Sequence, residues 1–391
     1  MKSKDFASRV DGVAPFQVMA ILEQAQQLAA EGIDVIHLEV GEPDFSTPEP
    51  VSQAGIRALQ QGKTGYTPAL GLPELRQRIS DFYQQKYQLT VPVSRIAITP
   101  GASGALLLLM AARLQQGDEL LLGDPGYPCN RHFAHVFESN SRLIPTSPAT
   151  HFQLSAELIQ KNWQPGISKA VLLASPANPT GTLIPEGELK NIIKVVDELG
   201  GELWVDEIYH GLIYGEHPKS ALEFSDRLVV INSFSKYFGM TGWRLGWMVT
   251  PQEYIPVVDR LAQNLFLAPA TPSQHAALAA FDDESIAIME SRRAEFEQRR
   301  DYLLSVLPDL GFKIPVVPEG AFYIYADASE LTDDAQQFCQ QLLEATGVAL
   351  TPGLDFGHHN ANHYIRFAYT TGIDRLQQAV ERIRDWLQSR S

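Results

Sequence analysis

The stretch Ile231–Trp247, INSFSKYFGMTGWRLGW, constrains the fold more than any other part of the sequence. The β-branched and apolar run Leu228–Phe234 predicts a buried strand that delivers Lys236 to its carboxyl end. Open α/β sheets bind ligands at that end of their strands. A lysine held among aromatic side chains loses water, which favours its neutral, nucleophilic amine. The aromatic residues of the stretch are Phe234, Tyr237, Phe238 and Trp243.

Hydroxyl and guanidinium groups accompany this lysine. Ser233, Ser235 and Arg244 would supply two hydroxyls and a planar, permanently charged fork, which suit a phosphate group. An amine beside a phosphate site indicates a phosphorylated aldehyde as cofactor. A solvated surface lysine is the alternative, because the short Ser-x-Ser-Lys pattern alone has little specificity.

The longer string SFSKYFGMTGWRLGW resembles the cofactor-lysine motif of the class I and II aminotransferases, which use pyridoxal 5'-phosphate (PLP) and have the fold called type I. The resemblance implies that Lys236 binds PLP covalently and that Arg244 binds its phosphate. It also implies an α/β fold, in which a large domain has a mostly parallel central sheet flanked by helices and a smaller α/β domain packs against it. We expect the PLP-binding domain at residues 48–280 and the small domain at residues 1–47 and 281–391.

Charge and composition exclude several classes of protein. A formal net charge of -15 and a pI near 5.1 argue against a nucleic-acid partner. Two distant cysteines predict neither a disulfide framework nor a metal site. The start of the sequence lacks the apolar core of a signal peptide, and no apolar run is long enough to span a bilayer. We therefore expect a soluble, cytoplasmic protein without a metal or a membrane partner.

Two loops near the start of the chain contain candidate site residues. Gly41 follows a predicted strand in GEPDF, which resembles the family segment that approaches the substrate carboxylate. Tyr66 lies in a Gly and Pro loop, and its Tyr-x-Pro-x-x-Gly pattern resembles the loop that donates a hydroxyl to the PLP phosphate of the neighbouring subunit. The resemblance therefore implies a homodimer with shared active sites. Ordinary turn formation and packing are the alternatives.

A strand, a glycine turn and a helix follow one another at Arg95–Leu114. Free N–H groups and the positive end of a helix dipole make such a turn an anion site. It matches the family's phosphate-binding turn, in which Ala102 and Ser103 are the candidates.

The next predicted strand, Glu119–Gly123, ends at Asp124-Pro125-Gly126-Tyr127-Pro128. The ring of Tyr127 can stack on a flat heteroaromatic ligand. DPGYP also matches the ring-stacking position of the family.

Two further strands end in polar residues. Ala170–Ala174 leads to Asn178 in ANPTG, and the resemblance implies that this asparagine donates to the phenolic oxygen of PLP. Glu202–Val205 leads to Asp206, a carboxylate that could keep a pyridine nitrogen protonated by charge pairing. Tyr209 matches the second donor to the phenolic oxygen.

Arg366 lies in the middle of a predicted strand, HYIRFAYT, which is an unusual place for a guanidinium without a partner. An internal ion pair is one explanation. The resemblance instead makes Arg366 the bidentate clamp of the substrate's α-carboxylate. The charged run SRRAEFEQRR predicts a solvated helix face.

Together these segments predict a PLP-dependent aminotransferase that moves an amino group between an L-amino acid and a 2-oxo acid by a ping-pong mechanism. Lys236, Asp206 and Tyr209 are the expected catalytic residues, and Gly41, Tyr127, Asn178 and Arg366 are expected to contact the substrate. A PLP-dependent lyase, such as a C–S β-lyase or a cyclopropane-forming synthase, is the alternative. A PLP-binding regulatory domain is disfavoured because no basic helix-turn-helix segment is recognisable. A neutral, aromatic or broad-range donor is preferred to strict use of aspartate, because no second cation for a side-chain carboxylate is identified.

Overall fold

The computed structural model describes residues 6–15, 17–216 and 218–390. Residues 1–5, which form the first half of the stretch in which no signal peptide is recognised, lie outside the described residues. The strands are β1 Ile36–His37, β2 Ile96–Thr99, β3 Glu119–Asp124, β4 Asn140–Pro145, β5 Ser168–Ala174, β6 Glu202–Asp206, β7 Val229–Ser233, β8 Gly246–Val249, β9 Tyr323–Asp327, β10 Val348–Ala349, β11 Thr351–Pro352 and β12 Tyr364–Ala368.

Helices separate most of these strands. They are α1 Gln17–Ala30, α2 Glu49–Gln60, α3 Pro73–Tyr87, α4 Gly101–Arg113, α5 Cys129–Val136, α6 Ala156–Asn162, α7 Glu186–Glu198, α8 Ile255–Leu265, α9 Thr271–Leu278, α10 Asp283–Val306, α11 Ala335–Thr346 and α12 Ile373–Arg390. Among the described residues, none of these helices combines the length and the apolarity needed to cross a membrane.

The central sheet has seven strands in the described part of the chain, in the order β2-β8-β7-β6-β5-β3-β4. Its strands run parallel except β8, which is antiparallel to both neighbours. Both faces of this sheet are buried. Along β6, Leu203 and Val205 pack into one core layer while Trp204 packs into the other. The predicted α/β fold with a mostly parallel sheet is confirmed.

Two smaller sheets are formed by the ends of the chain. Strands β11, β12 and β9 form an antiparallel sheet, and β1 pairs in parallel with β10. The pairing of Ile36 with Val348 brings an early segment next to a late one. The loop after β1 contains Gly41, whose carbonyl oxygen accepts a hydrogen bond from Lys236, three residues beyond the carboxyl end of β7.

Candidate active site

The carboxyl ends of the parallel strands meet at one edge of the central sheet, where a cavity of about 260 Å³ opens. β5 leads to Asn178, β6 ends at Asp206, and β7 leads to Lys236. All the predicted site residues except Tyr66 line this cavity: Gly41, Ala102, Ser103, Tyr127, Asn178, Asp206, Tyr209, Ser233, Ser235, Lys236, Arg244 and Arg366. Residues separated by up to 325 positions in the sequence thus surround one volume.

Lys236 points its amine into the cavity. Its Nζ donates to the carbonyl oxygen of Gly41 at 2.6 Å and lies 5.8 Å from the centre of the Phe322 ring. Burial lowers the pKa of this amine to about 8, and Arg366 and Arg244 act in the same direction. A neutral amine is therefore readily available near neutral pH.

The aromatic residues of its own stretch were expected to surround Lys236. This prediction is wrong for Phe234 and Phe238. Phe234 and Phe238 pack on Trp247 and Phe281 in the core beneath the site. These rings support the loop, whereas Phe322, the residue before β9, lies beside the amine.

Asp206 ends β6 with its carboxyl group buried in the wall of the cavity. Its Oδ1 accepts one hydrogen bond from the backbone N–H of Ile208 at 3.0 Å. Burial raises the pKa of this carboxyl group to about 7, while that hydrogen bond and Lys236 oppose the shift. A cation placed beside it would stabilise the ionised form.

An anion-binding corner lies where β2 gives way to α4. This helix begins at Gly101, so the backbone N–H groups of Ala102 and Ser103 belong to its first turn. The guanidinium of Arg244 lies against Gly101, since a Cβ built there would come within 2.8 Å of its Nη2. Permanent positive charge therefore adjoins the positive end of a helix dipole.

The hydroxyl groups near this corner have different roles. The Ser233 hydroxyl donates to Ser235 Oγ at 3.0 Å and accepts from the backbone N–H of Ser235 at 3.0 Å. Ser233 therefore supports the loop. Thr241 also lines the cavity, and its hydroxyl donates to the carbonyl oxygen of Ser235 at 2.9 Å. Thr241 was not singled out in the sequence although it lies inside the SFSKYFGMTGWRLGW string.

Arg366 is 2% exposed, yet its recorded hydrogen-bond partners are neutral oxygens. Its Nη1 donates to Asn178 Oδ1 at 2.9 Å, and its Nη2 donates to the carbonyl oxygen of Glu39 and to Thr351 Oγ1. Nε is buried without a hydrogen-bond partner among the described residues. Within the described part of the chain, Arg366 thus forms none of the internal ion pairs considered from the sequence, and its positive charge remains available to an anion.

Two tyrosines meet at the floor of the cavity. The hydroxyl oxygens of Tyr209 and Tyr323 are 2.9 Å apart, and both rings are buried. Sequence reasoning did not single out Tyr323, because AFYIYA reads as a strand that packs into the core. Val18 and Met19 of α1 and Glu42 also line the cavity without having been predicted.

Tyr66 is 86% exposed and does not line the cavity of its own chain. Its loop is tied to the start of α9, because Thr271 Oγ1 donates to the Gly65 carbonyl oxygen at 2.6 Å and Gln274 donates to Thr67 Oγ1 at 3.0 Å. The tyrosine therefore extends from an anchored loop into solvent.

The residues present fit PLP. The anion-binding corner suits its phosphate, the buried carboxyl group of Asp206 suits a protonated ring nitrogen, and Tyr127 presents an aromatic ring to the same cavity. Lys236 supplies an amine with a lowered pKa. Each of these groups meets a separate chemical requirement of the cofactor.

Comparison with known proteins gives one consistent result. The family model described as aminotransferase class I and II matches residues 33–383. A valine–pyruvate aminotransferase of Mycobacterium tuberculosis is 39% identical over 97% of this chain and 97% of its own. An aspartate/prephenate aminotransferase of Thermus thermophilus is 35% identical over 97% and 98%. The crystal structure of an aminotransferase from Mycobacterium tuberculosis superposes with a TM-score of 0.95 at 39% identity, covering 99% of this chain and all of the other.

Proposed function

Because the chain belongs to the class I and II aminotransferases, and is thus a PLP-dependent enzyme that transfers amino groups, we propose that the cavity at the strand ends is its active site. The observation that carries this proposal is the meeting of Lys236 Nζ, the buried carboxyl group of Asp206 and the guanidinium of Arg366 in one cavity. The named relatives do not favour the lyase alternative.

The cofactor would be held by the groups that fit it. Arg244, Ser235 and the N–H groups of Ala102 and Ser103 would bind the phosphate, with Ser233 supporting the loop. Asp206 would pair with the ring nitrogen, Tyr127 would cover a ring face, and Asn178 and Tyr209 would donate to the phenolic oxygen. When bound, PLP supplies an aldehyde that captures amines and a ring that accepts electrons from the α-carbon.

Lys236 would act twice in each half-reaction. Its neutral amine would hold the cofactor while no substrate is bound. The freed Nζ accepts the proton of the substrate's α-carbon and later gives it up. The pKa of about 8 supports both uses, since Nζ can hold or release a proton near neutral pH. An amino acid and a 2-oxo acid would alternate at this site in a ping-pong cycle.

Arg366 would bind the α-carboxylate of the substrate. A planar guanidinium can hold a carboxylate through two hydrogen bonds, and the buried, unpartnered Nε supports this use. Gly41 lies between this region and Lys236, with its carbonyl oxygen on Nζ.

The preferred donor would have a neutral side chain. The cations that line the cavity in the described part of the chain are Lys236, Arg244 and Arg366, and each already has a role. The remaining wall is largely apolar and includes Val18, Met19, Val40, Leu106 and Ile208. The valine–pyruvate name of one relative agrees with this choice.

Donor preference is tested by measuring kcat/KM for valine, leucine, phenylalanine and aspartate with one common 2-oxo acid. We expect the neutral donors to exceed aspartate by roughly 100-fold, because a second carboxylate would be buried without a partner. Met19→Arg brings a cation to the cavity and should reduce the ratio of kcat/KM for valine to kcat/KM for aspartate. The control Met19→Leu should leave this ratio unchanged. Equal use of aspartate and valine by the unmodified enzyme would contradict the proposal.

We also propose a homodimer in which Tyr66 reaches the phosphate site of the partner subunit. Its 86% exposure on an anchored loop supports this, as do Leu265 and Leu267, which are more than half exposed and shortly precede α9, the helix to which that loop is anchored. A fully active particle with the mass of a single 43.3 kDa chain would contradict it. The division into domains at residues 48–280 and at both chain ends, and the cytoplasmic location, stay predictions.

A further inference from the structure

The contact between Tyr209 and Tyr323 places two phenol groups where only one proton can lie between them. Their hydroxyl oxygens are 2.9 Å apart, and the side chains are 4% and 1% exposed. Each phenol has one proton to donate and lone pairs with which to accept. In this contact one tyrosine therefore donates and the other accepts.

Tyr323 has little freedom to leave this contact. It begins β9, its ring lies 4.4 Å from the guanidinium carbon of Arg366, and it meets the Tyr209 ring edge to face at 5.9 Å. The backbone of Gly41 closes the remaining side, because a Cβ built there would fall 2.0 Å from the Tyr323 hydroxyl oxygen. The hydroxyl is thus fixed between Gly41 and Tyr209.

The direction of the hydrogen bond follows from what Tyr209 has to do. If Tyr209 donates its single proton to the phenolic oxygen of the cofactor, its own oxygen can only accept from Tyr323. The chain of donors would then run from Tyr323 to Tyr209 to the cofactor, and hydrogen bonds in such a chain strengthen one another.

We propose that Tyr323 is a positioning residue, whose hydroxyl donates to Tyr209 and so directs the proton of Tyr209 to the phenolic oxygen of PLP. This inference rests on the proposed function, in which Tyr209 is that donor. Without the Tyr323 hydroxyl, the Tyr209 hydroxyl could rotate and its hydrogen bond to the cofactor would weaken.

The test is a pH titration of the absorbance of bound PLP in the unmodified holoenzyme and in Tyr209→Phe, Tyr323→Phe and the double variant. Loss of a donor to a negatively charged oxygen makes protonation easier, so Tyr209→Phe should raise the midpoint by roughly one to two pH units. Tyr323→Phe should raise it by roughly half a unit, because it weakens that donor without removing it. The double variant should match Tyr209→Phe.

Tyr369→Phe is the matched control. It removes another fully buried tyrosine hydroxyl, which donates to the Ala321 carbonyl oxygen at 3.4 Å and does not line the cavity. We expect no shift of the midpoint in this variant. Phenylalanine keeps the ring at every position, so packing is retained.

The other outcomes overturn the inference in distinguishable ways. A Tyr323→Phe shift that persists in the Tyr209→Phe background would show that Tyr323 does not act through Tyr209. An unchanged midpoint in Tyr323→Phe, beside a shift in Tyr209→Phe, would overturn the inference and leave the proposed function intact. An unchanged midpoint in Tyr209→Phe would overturn the role of Tyr209 and the inference with it.

Discussion

At the scale of single residues, the charge of Asp206 is the property of the site that a substitution can test most directly. Asp206→Asn keeps the shape of the side chain but removes the charge expected to pair with the ring nitrogen. We expect kcat/KM to fall roughly 100-fold or more, because breaking a buried charge pair costs several kcal/mol. Glu207→Gln is the control, since Glu207 is a fully buried neighbouring carboxylate that accepts hydrogen bonds from Ser220 and Ala221 away from the cavity. Equal losses in both variants would contradict the assignment.

The same carboxyl group links the stability of the PLP-free protein to pH. Its pKa is about 7 in the folded protein and near 3.8 ordinarily, so between these values the folded state keeps a proton that the unfolded chain has released. Stability should therefore fall as the pH rises through this range. Glu207, whose pKa burial raises to about 8, acts in the same direction. Melting temperatures at about pH 5 and about pH 8 should differ less in Asp206→Asn than in the unmodified protein.

Sequence motifs predicted the residues of the cavity well where the chemistry lies in a contiguous string. Asp206 ends a strand, and Asn178 and Lys236 lie in the loops that follow strands, so their place at the sheet edge follows from the order of elements. Tyr323 and Val18 could not be found in this way. They reach the cavity through packing between distant segments, and their local sequences are those of an ordinary strand and helix.

At the scale of secondary-structure elements, helix α10 differs most from expectation. Its charged run was predicted to be a solvated face, but Arg299 is 2% exposed and donates to both carboxylate oxygens of Asp44, at 2.8 and 3.0 Å. Glu295 accepts from the same guanidinium at 2.6 Å. Charge patterning could not reveal this pair, because Asp44 lies 255 residues earlier in the GEPDF loop.

Arg299→Ala should destabilise the protein by roughly 3–5 kcal/mol, because it leaves a partly buried carboxylate unpaired and opens a cavity. Arg227→Ala is the control, since Arg227 forms an exposed pair with Asp197 and its loss should cost less than about 1 kcal/mol. The measurement is the free energy of unfolding from denaturant titration. If the two variants were equally stable, Asp44 and Arg299 would not anchor the Gly41 loop as the structure indicates.

The other elements show what local sequence can predict. Helix α11 begins and ends at local sequence signals, because the side chain of Asp334 caps its start and Gly347 ends it. Helices α2 and α6 and strand β4 were not predicted. β4 is half polar and lies at the sheet edge, so it lacks the apolar run that marks a central strand. β1, the predicted strand that precedes Gly41, pairs over only two residues, since its length depends on β10.

At the scale of the whole molecule, the fold brings the amine of Lys236 and the carboxyl group of Asp206 into one cavity at the carboxyl edge of a mostly parallel sheet. The antiparallel strand β8 brings Arg244 back to the start of α4, and the late strand β12 brings Arg366 to the loop after β1. These long-range pairings bring separate segments together around the proposed PLP site. Only the family resemblance, and not the composition, allowed this assembly to be predicted from the sequence.

The most direct test of this account is to load the protein with PLP, reduce it with borohydride and map the labelled peptide. The account predicts a coloured holoenzyme before reduction and a single stable label on Lys236, which disappears in Lys236→Ala together with multiple-turnover transamination. A label on another lysine, or full transamination by Lys236→Ala, would contradict it.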